Sequence, residues 1–402
     1  MNRLVSWIDA RFPLIRTLKN HATEYYVPKN LNVYYVFGVL ALLLLLNQCL
    51  TGLWLTMFYT PTAKDAFDSI ESIMRDVPWG WLLRYMHSTG ASALFMVLYF
   101  HLFRALLYGS YQKPRELVWI LGMFLFILLM TEAFFGYLLP WGQMSYWGAE
   151  VITSLLGSIP YVGDHLVQWL RGDFQVSDVT LHRFFALHVI GIPLLIIGLV
   201  FLHLVALHHV GSNNPEGIDI YKYLDVRGKP LDGVPFHPYY TVKDFVGILI
   251  FLILFFSVVF FWPTMGGYFL EAANFTPADP FVTPEHITPV WYMTPFYSML
   301  RAIPNKLGGV LVMVSSIFIL FFIPWLDKSP VLSMRYKGRY SNIALRVFIL
   351  SFFVLGYLGT VQMSPLKQYL SILCIGLYFA YFVLMPIYSR HEQHREVPER
   401  ME

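Results

Sequence analysis

Residues 85–103 read YMHSTGASALFMVLYFHLF, a run without Asp, Glu, Lys or Arg. A helix of about 20 apolar residues spans the hydrocarbon core of a bilayer, so this run predicts a membrane-spanning helix. It carries two histidines, His87 and His101, which are 14 residues apart. At about 100° and 1.5 Å per residue they lie within about 40° of each other and about 21 Å apart in depth. One face of this helix therefore presents an imidazole at each of two levels.

The same search for charge-free runs finds the other spanning segments. They lie at 30–63, 117–139 (where Glu132 is the one charged residue), 184–214, 245–270, 307–326, 347–366 and 368–389. The composition agrees, because 57% of the 402 residues are hydrophobic and 13% are charged, whereas a soluble domain carries about 25% charge. We therefore expect an all-α integral membrane protein with eight transmembrane helices. A net charge of +3 is too balanced to indicate a nucleic-acid partner.

The distribution of Lys and Arg predicts the orientation. With a cytoplasmic N-terminus, 20 of the 28 Lys and Arg residues fall on the cytoplasmic side, as the positive-inside rule requires. Both termini are then cytoplasmic. We call this side the N side and the opposite one the P side. The long connections 140–180 and 263–306 lie on the P side and 209–243 on the N side, and residues 150–170 are expected to form a short surface helix.

The spans divide the chain into consecutive parts. These are a cytoplasmic N-terminal segment 1–30, a four-helix domain 31–210, a cytoplasmic connection 211–243, a C-terminal domain 244–390 that includes the loop 263–306, and a cytoplasmic tail 391–402. The two cysteines, Cys49 and Cys374, both lie in apolar runs. This excludes a disulfide scaffold and a metal cluster held by cysteines.

A second apolar run holds a matching pair, His188 and His203, which are 15 residues apart. At about 100° per residue, this step ends about 60° beyond a whole number of helical turns. Pro193 is expected to bend the helix so that the two imidazoles still lie on one face. Both helices run from P to N, so His87 is level with His188 and His101 with His203. Facing imidazoles suit a flat cofactor such as iron porphyrin, b-type and non-covalent because no Cys-x-x-Cys-His motif occurs. The alternative is four hydrogen-bonded core histidines, although ionisable groups at membrane depth are usually functional.

Glycines repeat the 14-residue spacing on the other two helices of the four-helix domain: Gly38 and Gly52 on the first, Gly122 and Gly136 on the third. The predicted topology puts one glycine of each helix at the level of each histidine pair. A glycine lets a macrocycle edge approach the backbone closely, although small residues also serve ordinary helix packing. Arg84 and Arg104 flank the histidines of the second helix and suit pairing with haem propionates. Their alternative role is that of interfacial anchors.

Four longer stretches resemble one known family. They are GYLLPWGQMSYWG at 136–148, HLVALH at 203–208 running into GSNNP at 211–215, FHPYYTVKD at 236–244, and RAIPNKLGG at 301–309. On these motifs the chain resembles cytochrome b, the membrane subunit of the bacterial ubiquinol:cytochrome c oxidoreductase, over essentially its whole length. The resemblance implies that His87 and His188 ligate a low-potential haem near the P side. It implies that His101 and His203 ligate a high-potential haem near the N side.

The resemblance also implies two quinone sites. For quinol oxidation on the P side the matching positions are Phe134, Tyr137, Gly148, Pro289, Trp291, Tyr292, Phe296 and Tyr297. For quinone reduction on the N side they are His208, Ser212, Asn213, Lys243 and Asp244. An imidazole beside a carboxylate suits proton uptake, and a rigid aromatic wall suits an apolar quinol ring. Taken alone, these residues also fit interfacial polar groups and an interfacial aromatic belt.

The sequence departs from the family pattern at three places. The family's PEWY motif reads PVWY at 289–292, with Val290 in place of the carboxylate. We expect Glu285 to replace it as acceptor of the quinol proton, with Tyr297 or a water chain assisting. The 15-residue histidine step resembles that of the shorter plastoquinol-type proteins, whereas the eight-helix length favours the respiratory class. Val39 stands where mitochondrial relatives carry a serine near the reduction site.

The function implied by the resemblance is a proton-motive Q cycle in a bacterial inner membrane, with ubiquinol and ubiquinone as substrates. The expected catalytic residues are Glu285, Trp291, Tyr292, Tyr297, His208 and Asp244. Since the chain has no cysteine cluster and no c-haem motif, a Rieske iron-sulfur protein and cytochrome c1 must be separate subunits. The family is also dimeric and embedded in lipid. Two rivals stay open: a dihaem anchor of a dehydrogenase, and a haem-free transporter that uses the histidines as a proton relay.

Overall fold

The computed structural model describes residues 3–13, 19 and 23–401. Within them, eight helices are long and apolar enough to cross a membrane. They are α1 (Val33–Thr56), α2 (Gly80–Tyr108), α3 (Glu116–Leu138), α4 (Asp178–Val210), α5 (Phe236–Phe261), α6 (Lys306–Leu326), α7 (Arg339–Thr360) and α8 (Pro365–Val383). The expected all-α fold with eight transmembrane helices is confirmed. Part of the expected N-terminal segment 1–30 lies outside the described residues.

The helices extend beyond the charge-free runs that located them. Helix α2 has 29 residues, which is about 43 Å at 1.5 Å per residue and exceeds the roughly 30 Å of a bilayer core. Arg84 therefore lies within α2. Lys243 and Asp244 lie inside α5, which begins at Phe236, whereas the charge-free run starts after them. Charge marks the edge of the apolar core, but backbone hydrogen bonding continues past it.

Helix α4 contains a π-helical turn at Leu187–Gly191, followed by regular α-helix over Ile192–Val210. A π turn holds one extra residue without extra rotation of the chain beyond it. The 15-residue step from His188 to His203 therefore acts like the 14-residue step of α2. Pro193, which the sequence analysis expects to make this correction, lies in the first turn of the regular helix that follows the π turn.

Shorter helices and one small sheet complete the fold. The helices are Arg3–Asp9, Ala66–Arg75, Gln143–Ser154, Gly163–Arg171, Thr294–Ala302 and Met385–His391. The surface helix expected at 150–170 is thus two helices, separated near Pro160. Strand β1 (Tyr26–Pro28) pairs antiparallel with β2 (Gly233–Pro235), with Val27 opposite Val234. This pairing joins the start of the chain to the connection before α5.

The helices pack around two apolar cores. Helix α1 packs against α2 and α3 against α4, while α7 packs against α8 and against Thr294–Ala302. One apolar core lies among α1 to α5, and a second joins α6 to α8 to the ends of α2 and α3. A buried ion pair between Lys337 and Asp327 lies at the N end of the second core, where Tyr111 and Gln112 each donate to Asp327 at 2.7 Å. Exposed leucines and phenylalanines cover the outer faces, as lipid contact requires.

Candidate functional site

The imidazoles of His87 on α2 and His188 on α4 face each other near the P end of the bundle. Their ring centroids are 6.2 Å apart, with the ring planes at 84°. A metal ion bonded by an imidazole nitrogen on each side, at about 2 Å per bond, puts the two centroids about 6 Å apart. The spacing of this pair therefore fits axial ligation of one iron from both sides.

The Nδ1 atoms of this pair are held by neighbouring helices. Thr51 donates its hydroxyl to the Asn47 carbonyl at 2.6 Å, so its oxygen accepts from His87 Nδ1, which lies 2.9 Å away. His188 Nδ1 lies 3.0 Å from both the carbonyl and a carboxylate oxygen of Glu132. Both rings thus keep Nε2 available for a metal, in the orientation that hydrogen bonds to metal-ligating histidines usually set. Glu132 is the single charged residue that the sequence left unexplained in the third span.

Glycines form the walls beside both histidine pairs. A Cβ atom on Gly52 would lie 3.1 Å from His87 Cε1, and one on Gly136 would lie 2.4 Å from His188 Cε1. At the N-end level the corresponding distances are 3.6 Å from Gly38 to His101 Cε1 and 3.5 Å from Gly122 to His203 Cε1. The structure therefore brings each glycine to the histidine at its own depth. The absence of a side chain at these glycines lets each imidazole lie close to the backbone of the neighbouring helix.

Arginines lie beside both levels. Arg104 stacks over the Tyr35 ring at 4.8 Å, and its Nη2 is 3.4 Å from His101 Nδ1. Its Nε atom is buried and has no hydrogen-bond partner among the described residues. An anionic group at this point would satisfy it, since a buried unpaired donor is costly. Arg84 lines the cavity around His87 and His188. With the glycine cradles, these arginines fit a haem and its propionates.

A cavity of about 1010 Å³ connects the P-end histidines with the loop after α5. The lining residues that matter here are Gly52, Arg84, His87, Glu132, Gly136, Tyr137, His188, Glu271, Asn274, Val290 and Tyr292. Most of the wall is apolar. The cavity is large enough for a macrocycle with space beside it, and that space reaches Tyr137 and Tyr292.

Hydrogen bonds and ring contacts hold the expected P-side residues in and around this wall. Trp291 donates its indole N–H to Ser92 at 3.2 Å, and Tyr292 stacks on Phe95 with centroids 4.0 Å apart. Tyr297 donates its hydroxyl to the Ile287 carbonyl at 2.8 Å. The expected residues that do not line the cavity are Phe134, packed on Phe184; Gly148, where an added Cβ would lie 3.5 Å from the Tyr137 ring; Phe296, packed on Phe352; Pro289; Trp291; and Tyr297.

A carboxylate that the sequence analysis did not select, Glu271, lines the cavity. It accepts a hydrogen bond from the Tyr137 hydroxyl, and Asn274 donates to both of them, at 3.2 and 3.1 Å. Burial raises the pKa of the Glu271 carboxyl to about 7, while the bond from Tyr137 acts to lower it. Glu285 is exposed and lies outside the cavity. The available signal was that Glu271 is the first charged residue after α5.

A smaller cavity of about 180 Å³ lies at the N-end level. It is lined, among others, by Tyr25, Tyr35, His101, Arg104, Gly122, His203, Ser212, Asn213 and Asp244. Asn213 is fixed by donating to the Tyr108 carbonyl at 2.6 Å. His208 and Lys243 lie just outside the lining, with His208 against the Tyr25 ring at 4.6 Å and the Lys243 amine over the Tyr240 ring at 4.7 Å. Tyr25 was not selected from the sequence.

Comparison with known proteins gives the family. Residues 22–211 match the family model described as Cytochrome b/b6/petB, and residues 277–379 match Cytochrome b(C-terminal)/b6/petD. The chain belongs to the cytochrome b family. It is 58% identical to the cytochrome b of Allochromatium vinosum, over 99% of this chain and 98% of that protein. The cytochrome b of Rickettsia bellii is 48% identical, over 100% of this chain and 97% of that protein.

A solved structure described as Hyperthermophilic respiratory Complex III matches with a TM-score of 0.90 and 39% sequence identity, over 96% of this chain and 99% of that one. These relatives confirm the resemblance to a bacterial cytochrome b of the bc1 complex, which is an oxidoreductase complex. Cytochromes b bind haem b, so the haem-free transporter is set aside. A dehydrogenase anchor is also set aside, because both halves of the chain match cytochrome b models.

Proposed function

We propose that this chain is the dihaem subunit of a bacterial ubiquinol:cytochrome c oxidoreductase, which oxidises quinol near the P side and reduces quinone near the N side. The observation that carries the proposal is the repetition of one arrangement at two depths. At each depth a histidine of α2 and a histidine of α4 are faced by a glycine of α1 and a glycine of α3, beside a cavity. A single haem site does not require the second set.

His87 and His188 would hold the P-side haem, and His101 and His203 the N-side haem. Each bound haem supplies a one-electron carrier, so electrons can pass between the two quinone sites. The protein orients the imidazoles through Thr51 and Glu132, and Arg84 and Arg104 offer charge to the propionates. Other residues of the chain would bind the quinone and move its protons.

On the P side, the quinol ring would lie in the large cavity against Tyr292 and Tyr137. We propose Glu271, rather than Glu285, as acceptor of the quinol proton. It lines the cavity, shares a hydrogen bond with Tyr137 and has a pKa of about 7, which suits a general base near neutral pH. Tyr297, which was expected to assist proton transfer, would instead fix the loop through its bond to Ile287. Trp291 would hold the neighbouring Tyr292 in place.

On the N side, quinone would bind in the smaller cavity between the N-side haem and the residues that close it. Asp244, Ser212 and Asn213 line that cavity and would donate hydrogen bonds or protons to the quinone oxygens. Protons from the cytoplasm would pass through His208 and Lys243. His208 lies at the rim of the cavity against Tyr25, and Lys243 lies in α5 next to Asp244. This is the proton uptake that quinone reduction requires.

The proposed partners are those that membership of the family implies. A Rieske iron-sulfur protein would accept the first electron of quinol, and cytochrome c1 would take it onward. A second copy of the chain would complete a dimer in the bacterial inner membrane, with both termini cytoplasmic. The excess of Lys and Arg in the segments on the N side of the membrane supports this orientation.

The test is haem stoichiometry in the purified complex. A pyridine haemochrome assay should find two b-type haems per polypeptide, and a redox titration should resolve two components. His87→Asn should remove one component and His203→Asn the other. A single haem in the wild-type protein would refute the four-ligand assignment, and none would refute the proposal itself.

A further inference from the structure

An ionic cluster at the N end joins three segments that are far apart in sequence. The carboxylate of Asp232 is buried, with 2% of its side chain exposed, and Lys29 Nζ lies 3.3 Å from it. Arg400, in the C-terminal tail, reaches it with Nε at 3.3 Å and Nη2 at 3.4 Å. We call Lys29, Asp232 and Arg400 the N-end clasp. An unpaired carboxylate would be costly to bury, so the two cations stabilise Asp232 in its buried position.

The clasp also fixes the backbone around it. The Lys29 N–H donates to the Asp232 carbonyl at 3.1 Å, which continues the pairing of strands β1 and β2. Lys29 Nζ donates to the Met401 carbonyl at 2.8 Å, and the Met401 side chain is buried against Ile218 and Ile220. The end of the chain is therefore held to the strand pair and to the connection before α5.

The strand pair leads directly to the smaller cavity. Tyr25 precedes strand β1, and its carbonyl accepts from the Phe236 N–H at 2.8 Å. Its ring lies 4.6 Å from that of His208, and it lines the cavity that Ser212 and Asp244 also line. The register of β1 against β2 thus determines where Tyr25 stands in the cavity wall.

We propose that the N-end clasp positions the wall of the N-side quinone-reducing site, so that the C-terminal tail takes part in quinone binding through Asp232 and Tyr25. This inference rests on the proposed function, since it assigns the cavity to quinone. Asp232 is a positioning residue, because it acts through the strand pair and does not touch the substrate. Loss of Arg400 leaves Asp232 with one partner, which frees the tail and lets the strand pair shift toward water.

The experiment uses the intact complex in membranes. The P side is blocked with an inhibitor of quinol oxidation, and reduction of the N-side haem by added ubiquinol is followed by absorbance. The variants are R400Q, D232N and Y25F, with R400K as the conservative replacement. E396Q is the matched control, because Glu396 is an exposed carboxylate of the same tail without a bond to the clasp. P-side quinol oxidation is measured separately in each variant.

We expect R400Q and D232N to raise the KM for quinol in this half-reaction about tenfold, which corresponds to about 1.4 kcal/mol of lost binding, and Y25F to do the same. R400K should restore most of the affinity. Haem content, P-side activity and the E396Q variant should match the wild type. Hydrogen exchange should show faster exchange in strand β1 of R400Q.

Two results would overturn the inference. One is an unchanged KM in R400Q and D232N while strand β1 exchanges faster. The other is an equal loss of both half-reactions together with lost haem, which would mean a general role in stability. If the D232N complex does not assemble, R400Q still tests the inference. The Arg400 side chain is 47% exposed, so its substitution should not prevent folding. A wild-type complex without any N-side half-reaction would instead refute the proposed function.

Discussion

Glu271→Gln is the substitution that best tests the P-side chemistry. The amide keeps the shape of the side chain and its contact with Asn274 but cannot accept a proton. General base catalysis contributes about 10²–10⁴-fold to a rate, so quinol oxidation should fall by about that factor. The matched variant is Glu285→Gln, which alters an exposed carboxylate outside the cavity and should leave the rate unchanged.

The pH dependence gives the sign of the effect. The Glu271 carboxyl has a pKa raised by burial to about 7, and the ionised form is the proton acceptor. Below that pKa the rate should fall about tenfold per pH unit, and above it the rate should level off. Tyr137→Phe removes a hydrogen bond that lowers this pKa, so the falling limb should move to higher pH.

The assay is the initial rate of quinol:cytochrome c reduction by the purified complex, measured on both sides of neutral pH with haem content as the control. A wild-type rate and an unchanged pH profile in Glu271→Gln would refute the reasoning. A large loss in Glu285→Gln would return the role to the residue expected from the sequence.

Three further predictions concern the haem cradle and the packing of the helices. Gly136→Ala should abolish the P-side haem band, because the added Cβ would lie 2.4 Å from the facing imidazole, whereas Gly198→Ala, with nothing within 4 Å, should not. Thr51→Val should weaken retention of the same haem by about 10–100-fold in a haem-transfer assay, as loss of an outer partner of a metal ligand usually does. Lys337→Met should lower stability in thermal unfolding by about 3–5 kcal/mol, since Asp327 would stay buried without its cation. A wild-type result in any of these measurements would contradict the role assigned to that residue.

Periodicity carried most of what the sequence could predict. The histidines of α2 and the glycines of α1 and α3 follow helical geometry, so their relative depth can be computed from residue numbers alone. Placement in irregular loops cannot be computed in this way. Glu271 and Glu285 are 14 residues apart in one connection, and only the folded path of that connection shows which one lines the cavity.

Contacts between distant segments were the second limit. Strand β1 pairs with β2 across some two hundred residues, and neither strand has a pattern long enough to be recognised. Tyr25 consequently reaches the N-end cavity without a sequence signal. Glu132 is conspicuous in the sequence as the one charged residue of its span, but its contact with His188 depends on how α3 packs against α4.

The π turn at Leu187–Gly191 has a consequence for comparing sequences. Two ligands can keep the same separation in space while their numbers differ by one, because the turn takes up the additional residue locally. The number of residues between two histidine ligands is therefore an unreliable criterion for classifying electron-transfer proteins. Deleting one residue inside this turn should leave the N-side half of α4 in place. Deleting one residue between Ile192 and His203 should rotate His203 by about 100° away from His101.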